Sequence, residues 1–164
     1  MKTNEVMKVL ARHRGDAVVV CALGMAANEW WAATRSEDSF YMHGAMGFAA
    51  SFALGLSLSV PETPVWVLNS DGSLCMNTGC LITEAGQQPK NLKHFVIDNL
   101  ADLESKLPEI VKASGPYFVR LRVEAEPEYQ RVPPAPYEGP EMKYRFGRAL
   151  EKKLGIKVFG PRGF

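Results

Sequence analysis

A carboxylate and an amide stand just beyond two short apolar runs. Val65-Trp66-Val67-Leu68-Asn69 leads into Ser70-Asp71-Gly72-Ser73, and Phe95-Val96-Ile97-Asp98 leads into Asn99, with one helical segment between them. Runs of this length and composition predict a strand–helix–strand unit of a parallel sheet. In such sheets ligands collect where the carboxyl ends of the strands meet the loops. If the two strands are neighbours, Asp71 and Asn99 bring a carboxylate and an amide oxygen to one point. Gly72 and Ser73 open the intervening helix, whose free N–H groups suit an anion. One carboxylate, neutral oxygens and a phosphate make a hard-oxygen set of the kind magnesium takes. The absence of soft ligands beside it argues against zinc or copper.

The elements that must position these groups are readable from the chain. Asn4 to His13 carries Val6, Met7, Val9 and Leu10 on one helical face, with Asn4 as its cap. Ala17–Leu23 is an uninterrupted Val-rich run, the signature of a strand buried on both faces. Ala26 to Thr34 restarts as a helix with Trp30 and Trp31. Phe40-Tyr41-Met42 leads into His43-Gly44-Ala45-Met46-Gly47, and the stretch beyond it, rich in Ala, Gly and Ser, predicts a tightly packed helix ending near Val60-Pro61. So few polar side chains occur there that the helix is expected to be buried, in the domain or at a subunit contact. After the central unit, Leu100 to Ala113 reads as a helix with Leu103, Leu107, Ile110 and Val111 on one side. Tyr117–Val123 alternates at its end, which places it near a sheet edge. Glu124 to Pro140 reads as a Pro- and Glu-rich surface arm, and Glu141 to Leu154 as a last helix.

Four strands are therefore expected, Ala17–Leu23, Val65–Asn69, His94–Ile97 and Tyr117–Val123, in an α/β, doubly wound, mainly parallel sheet with helices on both faces. Residues 1–126 form the α/β domain of this reading; residues 127–164 form the arm and terminal helix packed on it. A chain of 164 residues holds one domain with a real core. The formal net charge of +1 gives no electrostatic case for nucleic acid or an acidic membrane. No apolar run is long enough to span a bilayer, and the first residues lack a signal-like apolar core, so the expected location is the cytoplasm. Cys21, Cys75 and Cys80 form no Cys-x-x-Cys pair and are expected to be reduced.

The run Ser70-Asp71-Gly72-Ser73-Leu74-Cys75-Met76-Asn77-Thr78-Gly79-Cys80-Leu81, with Pro89-Lys90-Asn91-Leu92 and Asp98-Asn99 after it, resembles the thiamine-diphosphate motif. That motif is Gly-Asp-Gly-Ser followed, after about 25 residues, by Asn-Asn. The flanks are similar to those of the sulfopyruvate and phosphonopyruvate decarboxylases, and the likeness extends from Asn4 to about Leu154. It implies a shortened thiamine-diphosphate-binding fold with thiamine diphosphate and Mg2+ as cofactors. Asp71 and Asn99 would be side-chain ligands of the metal, with a carbonyl near Ala101. Gly72 and Ser73 would donate to the diphosphate. Gly44-Ala45-Met46-Gly47 resembles the family's Gly-Ser-Met-Gly segment, in which the Gly44 carbonyl would receive the cofactor's amino group, the Met46 N–H would touch the pyrimidine, and the Met46 side chain would wedge between the two rings. His43 is a candidate catalytic group beside that segment.

The implied activity is decarboxylation of a small 2-oxo acid, a carbon–carbon lyase reaction inactive in the isolated chain. The essential carboxylate of the family lies on a pyrimidine-binding domain, so a separate, α-type subunit is implied, in a homo- or hetero-oligomer. Glu29 and Glu84, local substitutes for that carboxylate, read instead as surface or supporting residues on helices. The chain departs from the family pattern at three places. Ser70 replaces a glycine and would be strained if its φ had to be positive. Ala26 and Ala27 supply no hydroxyl. About 30–40 residues, judged against a standard strand–helix–strand unit, are absent after Asn99. The alternative implied by these departures is a catalytically inactive structural or regulatory member of the same fold.

Overall fold

The computed structural model describes residues 2–99, 103–122, 132–137 and 139–160. Helix α1 (Thr3–His13) leads into β1 (Val18–Cys21), then α2 (Met25–Thr34), β2 (Ser39–Tyr41) and α3 (Ala49–Ser59). The central unit is β3 (Val65–Asn69), α4 (Asp71–Met76), α5 (Gly79–Gln87) and β4 (Leu92–Asn99). Helix α6 (Leu103–Lys112), β5 (Tyr117–Arg122) and α7 (Gly139–Leu154) follow. The strands form one five-stranded sheet in the order β2-β1-β3-β4-β5, and every neighbouring pair is parallel.

The expected α/β architecture is present, with one strand more than the sequence reading. β2 is the addition. It is three residues long, too short to show a period, and it exists because Ser39, Phe40 and Tyr41 pair with Val19, Val20 and Cys21. The edge position expected for the Tyr117 strand is observed. The crossover between β3 and β4 is two short helices, broken at Asn77, rather than one. Asn4 is not a cap: the first helix already includes Thr3, its entry is tied by the Lys2 backbone N–H donating to the Glu5 carboxylate at 2.9 Å, and Asn4 Oδ1 is buried without a hydrogen-bond partner.

Both faces of the sheet are covered, as the fully buried β1 and β3 require. Val19 and Cys21 share a core with Trp66, Leu68, Phe95, Leu107 and Leu121 and with the apolar faces of α1 and α2. The alternate residues face the other way. Val20, Val65, Val67 and Leu92 meet Ala49, Ala53 and Leu54 of α3, while Val18 meets Phe146 and Leu150 of α7. Within the domain α3 is buried on one face, and its other face is left open for the subunit contact that is the other expected alternative. Ala49, Ala50, Ala53, Leu54 and Ser57 are buried, but Phe48, Ser51, Phe52, Gly55 and Leu58 are exposed.

The crossovers differ in hand. β1 to β2 moves outward across the α2 face, whereas β2 to β3 and β3 to β4 move in the opposite direction across the α3 face. These three therefore share one hand. β4 to β5 moves in the same direction as the last two, yet α6 packs with α1 on the α2 face, so its hand is reversed. Parallel crossovers are right-handed in about 98% of cases. The β4-to-β5 step is the exception among the described crossovers. It falls where the resemblance implies absent residues, with only 100–102 separating the two elements.

The boundary expected near residue 126 lies outside the described residues. On either side of it, Tyr137 packs edge-on against Trp31 at 5.4 Å, and Lys153 Nζ donates to Asp38 Oδ2 at 2.6 Å. Among the described residues, no helix is long and apolar enough to cross a membrane.

Candidate functional site

Because all strands are parallel, their carboxyl ends share one rim. The chain leaves β1 toward β2 on one side, and β3 toward β4 on the other, so the crevice between β1 and β3 is the switch point where α/β sheets bind ligands. The loops after β1, β2 and β3 surround it.

The turn after β3 is built from its end residue outward. Asn69 is fully buried, and its Oδ1 accepts the Ser70 N–H at 3.1 Å. Ser70 has φ −106° and ψ 159°, ordinary extended backbone, so the serine that replaces the family's glycine carries no strain. It caps α4 instead: its hydroxyl accepts the Ser73 N–H at 3.4 Å and its carbonyl accepts the Leu74 N–H at 2.9 Å. Asp71 is exposed at the rim, and one of its oxygens accepts the Gly72 N–H at 2.7 Å. The two N–H groups expected to face a diphosphate are thus engaged by the chain's own oxygens.

The loop after β2 turns sharply. Gly44 (φ 68°), Ala45 (φ 50°) and Gly47 (φ 93°) all adopt left-handed conformations. For Ala45 this is a strained state, and such strain concentrates at functional sites. His43, Gly44, Ala45 and Met46 are exposed, whereas Gly47 is buried. The Gly47 peptide is clamped to α4: its N–H donates to Ser73 Oγ at 3.1 Å, and its carbonyl accepts from Asn77 Nδ2 at 3.1 Å. Asn77 also reaches Ser51 Oγ at 3.2 Å. A Cβ on Gly72 would stand 3.3 Å from Met46 Cε, so the methionine lies directly over the turn that carries Asp71. The two segments singled out in the sequence, Gly44–Gly47 and Asp71–Ser73, are one assembly.

The other expected residues are placed as follows. Asn99 is the last residue of β4, which neighbours β3 in parallel register with Asn69 opposite Val96. Its backbone therefore reaches the same rim; its side chain, and Ala101, lie outside the described residues. Ala26 and Ala27 are buried in the core, and α2 starts with no side-chain cap. Glu29 is half-buried on α2. Glu84 is not a surface residue: it is buried, with Oε2 3.3 Å from Nδ1 of His94. Sequence reasoning missed Asn69 and Asn77, and it reads His94 as a lone structural histidine without showing its partners Glu84 and Asn69. A polar residue inside or ending a buried strand must find a partner, and that rule was the available signal for Asn69 and His94. Cys21, Cys75 and Cys80 are all free; burial and the neighbouring Glu84 push the Cys80 thiol up.

The donor set fits magnesium with a diphosphate better than a softer ion. Among the described residues no cluster of three or more His, Cys, Asp or Glu could hold a metal by itself. A single rim carboxylate is the chemistry of an ion that draws its remaining ligands from phosphate, neutral oxygens and water.

The family model described as "Thiamine pyrophosphate enzyme, C-terminal TPP binding domain" matches residues 19–106. The chain is 46% identical over 84 residues to the sulfopyruvate decarboxylase subunit beta of Methanothermobacter thermautotrophicus, covering 51% of this chain and 45% of that one. It is 41% identical over 92 residues to the phosphonopyruvate decarboxylase of Streptomyces viridochromogenes, covering 56% of this chain and 23% of that one. A solved protein of Mycobacterium smegmatis, described as a thiamin diphosphate-dependent enzyme, superposes with a TM-score of 0.64 at 20% identity over 77% of this chain and 32% of that one. The aligned part of this chain thus spans about half the length of the matched beta subunits and about a quarter of the matched phosphonopyruvate decarboxylase.

Proposed function

The chain belongs to the family of C-terminal, thiamine pyrophosphate-binding domains of thiamine pyrophosphate enzymes, and on that premise we propose that it is the cofactor-holding subunit of a 2-oxo acid decarboxylase of the sulfopyruvate or phosphonopyruvate type. Relatives named as beta subunits support a two-subunit site, which a pyrimidine-binding, α-type subunit would complete. The observation that carries the reading is the clamped junction of Gly44–Gly47 with Asp71–Ser73 at the switch point.

In this reading Asp71 holds Mg2+, joined by Asn99 and a carbonyl near Ala101. Gly72 and Ser73 would donate to the diphosphate in place of their present acceptors, the Asp71 carboxylate for the Gly72 N–H and the Ser70 hydroxyl for the Ser73 N–H. The Gly44 carbonyl and the Met46 N–H would hold the pyrimidine, and the Met46 side chain would pack against the cofactor. Bound thiamine diphosphate supplies the carbon nucleophile and the electron sink for loss of carbon dioxide. His43, exposed beside the loop, is placed to meet substrate. Met46, Phe48, Phe52 and Met76 are all exposed along this side of the molecule, an apolar surface of the kind a partner covers.

The test is titration of thiamine diphosphate with Mg2+ into the chain, alone and with an α-type subunit. Binding in either state is expected; no binding in both overturns the proposal. A second reading, a non-catalytic member of the fold, is favoured by the Gly72 and Ser73 N–H groups being already engaged. Carbon dioxide release from a 2-oxo acid on mixing with the α-type chain would reject it.

A further inference from the structure

A buried line of polar groups runs from α5 along one face of the sheet to the turn that carries Asp71. Glu84 on α5 is 5% exposed; His94 on β4 and Asn69 at the end of β3 are fully buried. Glu84 Oε2 lies 3.3 Å from His94 Nδ1, and His94 Nε2 lies 3.2 Å from Asn69 Nδ2. Asn69 Oδ1 in turn accepts the Ser70 backbone N–H at 3.1 Å. Phe118 of β5 packs against the imidazole at 5.1 Å between ring centres.

The far end fixes the direction of the whole line. A backbone N–H only donates, so Asn69 presents its oxygen to Ser70 and its NH2 to His94. His94 Nε2 is then the acceptor, and the proton of the neutral ring sits on Nδ1, donated to the Glu84 carboxylate. Any other assignment sets two donors face to face. An imidazolium would aim Nε2–H at the Asn69 NH2; turning that amide over would aim the NH2 at the Ser70 N–H. Either way a buried donor loses its partner. The line therefore has one sense, and it ends on the residue next to Asp71.

We propose that Glu84 and His94 are positioning residues. Through Asn69 they hold the Ser70 amide, and with it the direction in which Asp71 and the first turn of α4 leave the sheet. This rests on the functional reading above, in which Asp71 meets a magnesium diphosphate. Partners that hydrogen-bond a metal ligand directly change metal affinity by about 10–100-fold when removed; Glu84 acts through three successive hydrogen bonds, so the lower end of that range is expected.

The test uses the full chain. Nitrogen-15 NMR of the histidine-labelled protein is expected to show His94 with its proton on Nδ1 and none on Nε2. Glu84→Gln, whose amide oxygen accepts the same proton, keeps that tautomer and the parental affinity for thiamine diphosphate at fixed Mg2+. Glu84→Ala weakens that affinity by about 10-fold and speeds hydrogen exchange at the Ser70 amide, while urea unfolding stays cooperative. A proton on Nε2 in the parent overturns the proposal, as does a Glu84→Ala chain with parental Ser70 exchange. A parent that binds no cofactor sinks the functional reading alone, because the tautomer and the Ser70 exchange are read without cofactor.

Discussion

Replacing Gly47 by alanine attacks the junction of loop and helix in two ways. The position has φ 93°, where an L-residue is strained, by about 1–3 kcal/mol. The new methyl would also stand 3.2 Å from Met76 Cβ, 3.3 Å from Asn77 Cβ and 3.4 Å from the Ser73 carbonyl. None of these is the free end of a flexible side chain, so α4 itself must move, an overpacking cost of about 1–3 kcal/mol. The sum is about 2–6 kcal/mol, and its midpoint corresponds to a Tm lower by about 8–16 °C for a chain of this size. Differential scanning calorimetry measures it, and titration with thiamine diphosphate and Mg2+ follows the same variant, because Met46 and the Asp71 turn must separate. Ser73→Ala is the control. It removes the acceptor of the Gly47 N–H without any clash, at about 1–3 kcal/mol for an orphaned buried donor. A Gly47→Ala loss below about 0.5 kcal/mol, the range of an ordinary surface substitution, would refute the clamp.

Three further outcomes are expected. Burial alone would raise the Asp38 carboxyl, but hydrogen bonds from Arg14, Lys153 and Ser36 outweigh it and hold the group well below the usual carboxylate range. A carboxyl lowered in the folded state stabilises in full above its unfolded value of about 3.9 and loses that contribution as pH falls toward its folded one; urea unfolding between pH 2 and 7 should show this acid loss in the parent and a smaller one in Asp38→Asn. Ser70→Gly removes the hydroxyl that engages the Ser73 N–H; replacing this cap by glycine should cost only about 0.3 kcal/mol, while cofactor affinity rises, and an unchanged affinity would show that this N–H does not face the diphosphate. Asn91 Nδ2 donates to the carbonyls of Ser57, Val60 and Thr63 at 3.1, 3.0 and 2.7 Å, tying the end of α3 to the start of β4; Asn91→Ala should cost about 1–3 kcal/mol in denaturant unfolding.

Much of this architecture lies in local pattern. Ala17–Leu23 and Val65-Trp66-Val67-Leu68 are apolar throughout because strands buried on both faces favour apolar residues on each, so their parallel setting was readable before any contact was known. Gly44 and Gly47 were readable as a motif because backbone at φ 68° and 93° disfavours a side chain, and at Gly47 the neighbouring Met76 and Asn77 also leave no room for one. Contacts between distant positions were not readable. β2 has no period of its own and is a strand only through β1. Glu84 fits a solvated helix position until His94, ten residues on, is set beneath it by the β3–β4 pairing. The grip of Ser73 on Gly47 spans 26 positions, and the reversed hand at α6 depends on which sheet face the helix meets. Periodicity reports which side of an element is apolar; the neighbour that covers that side is chosen only when strands align and helices choose a face, and that choice decided where Asp71 sits and what holds it.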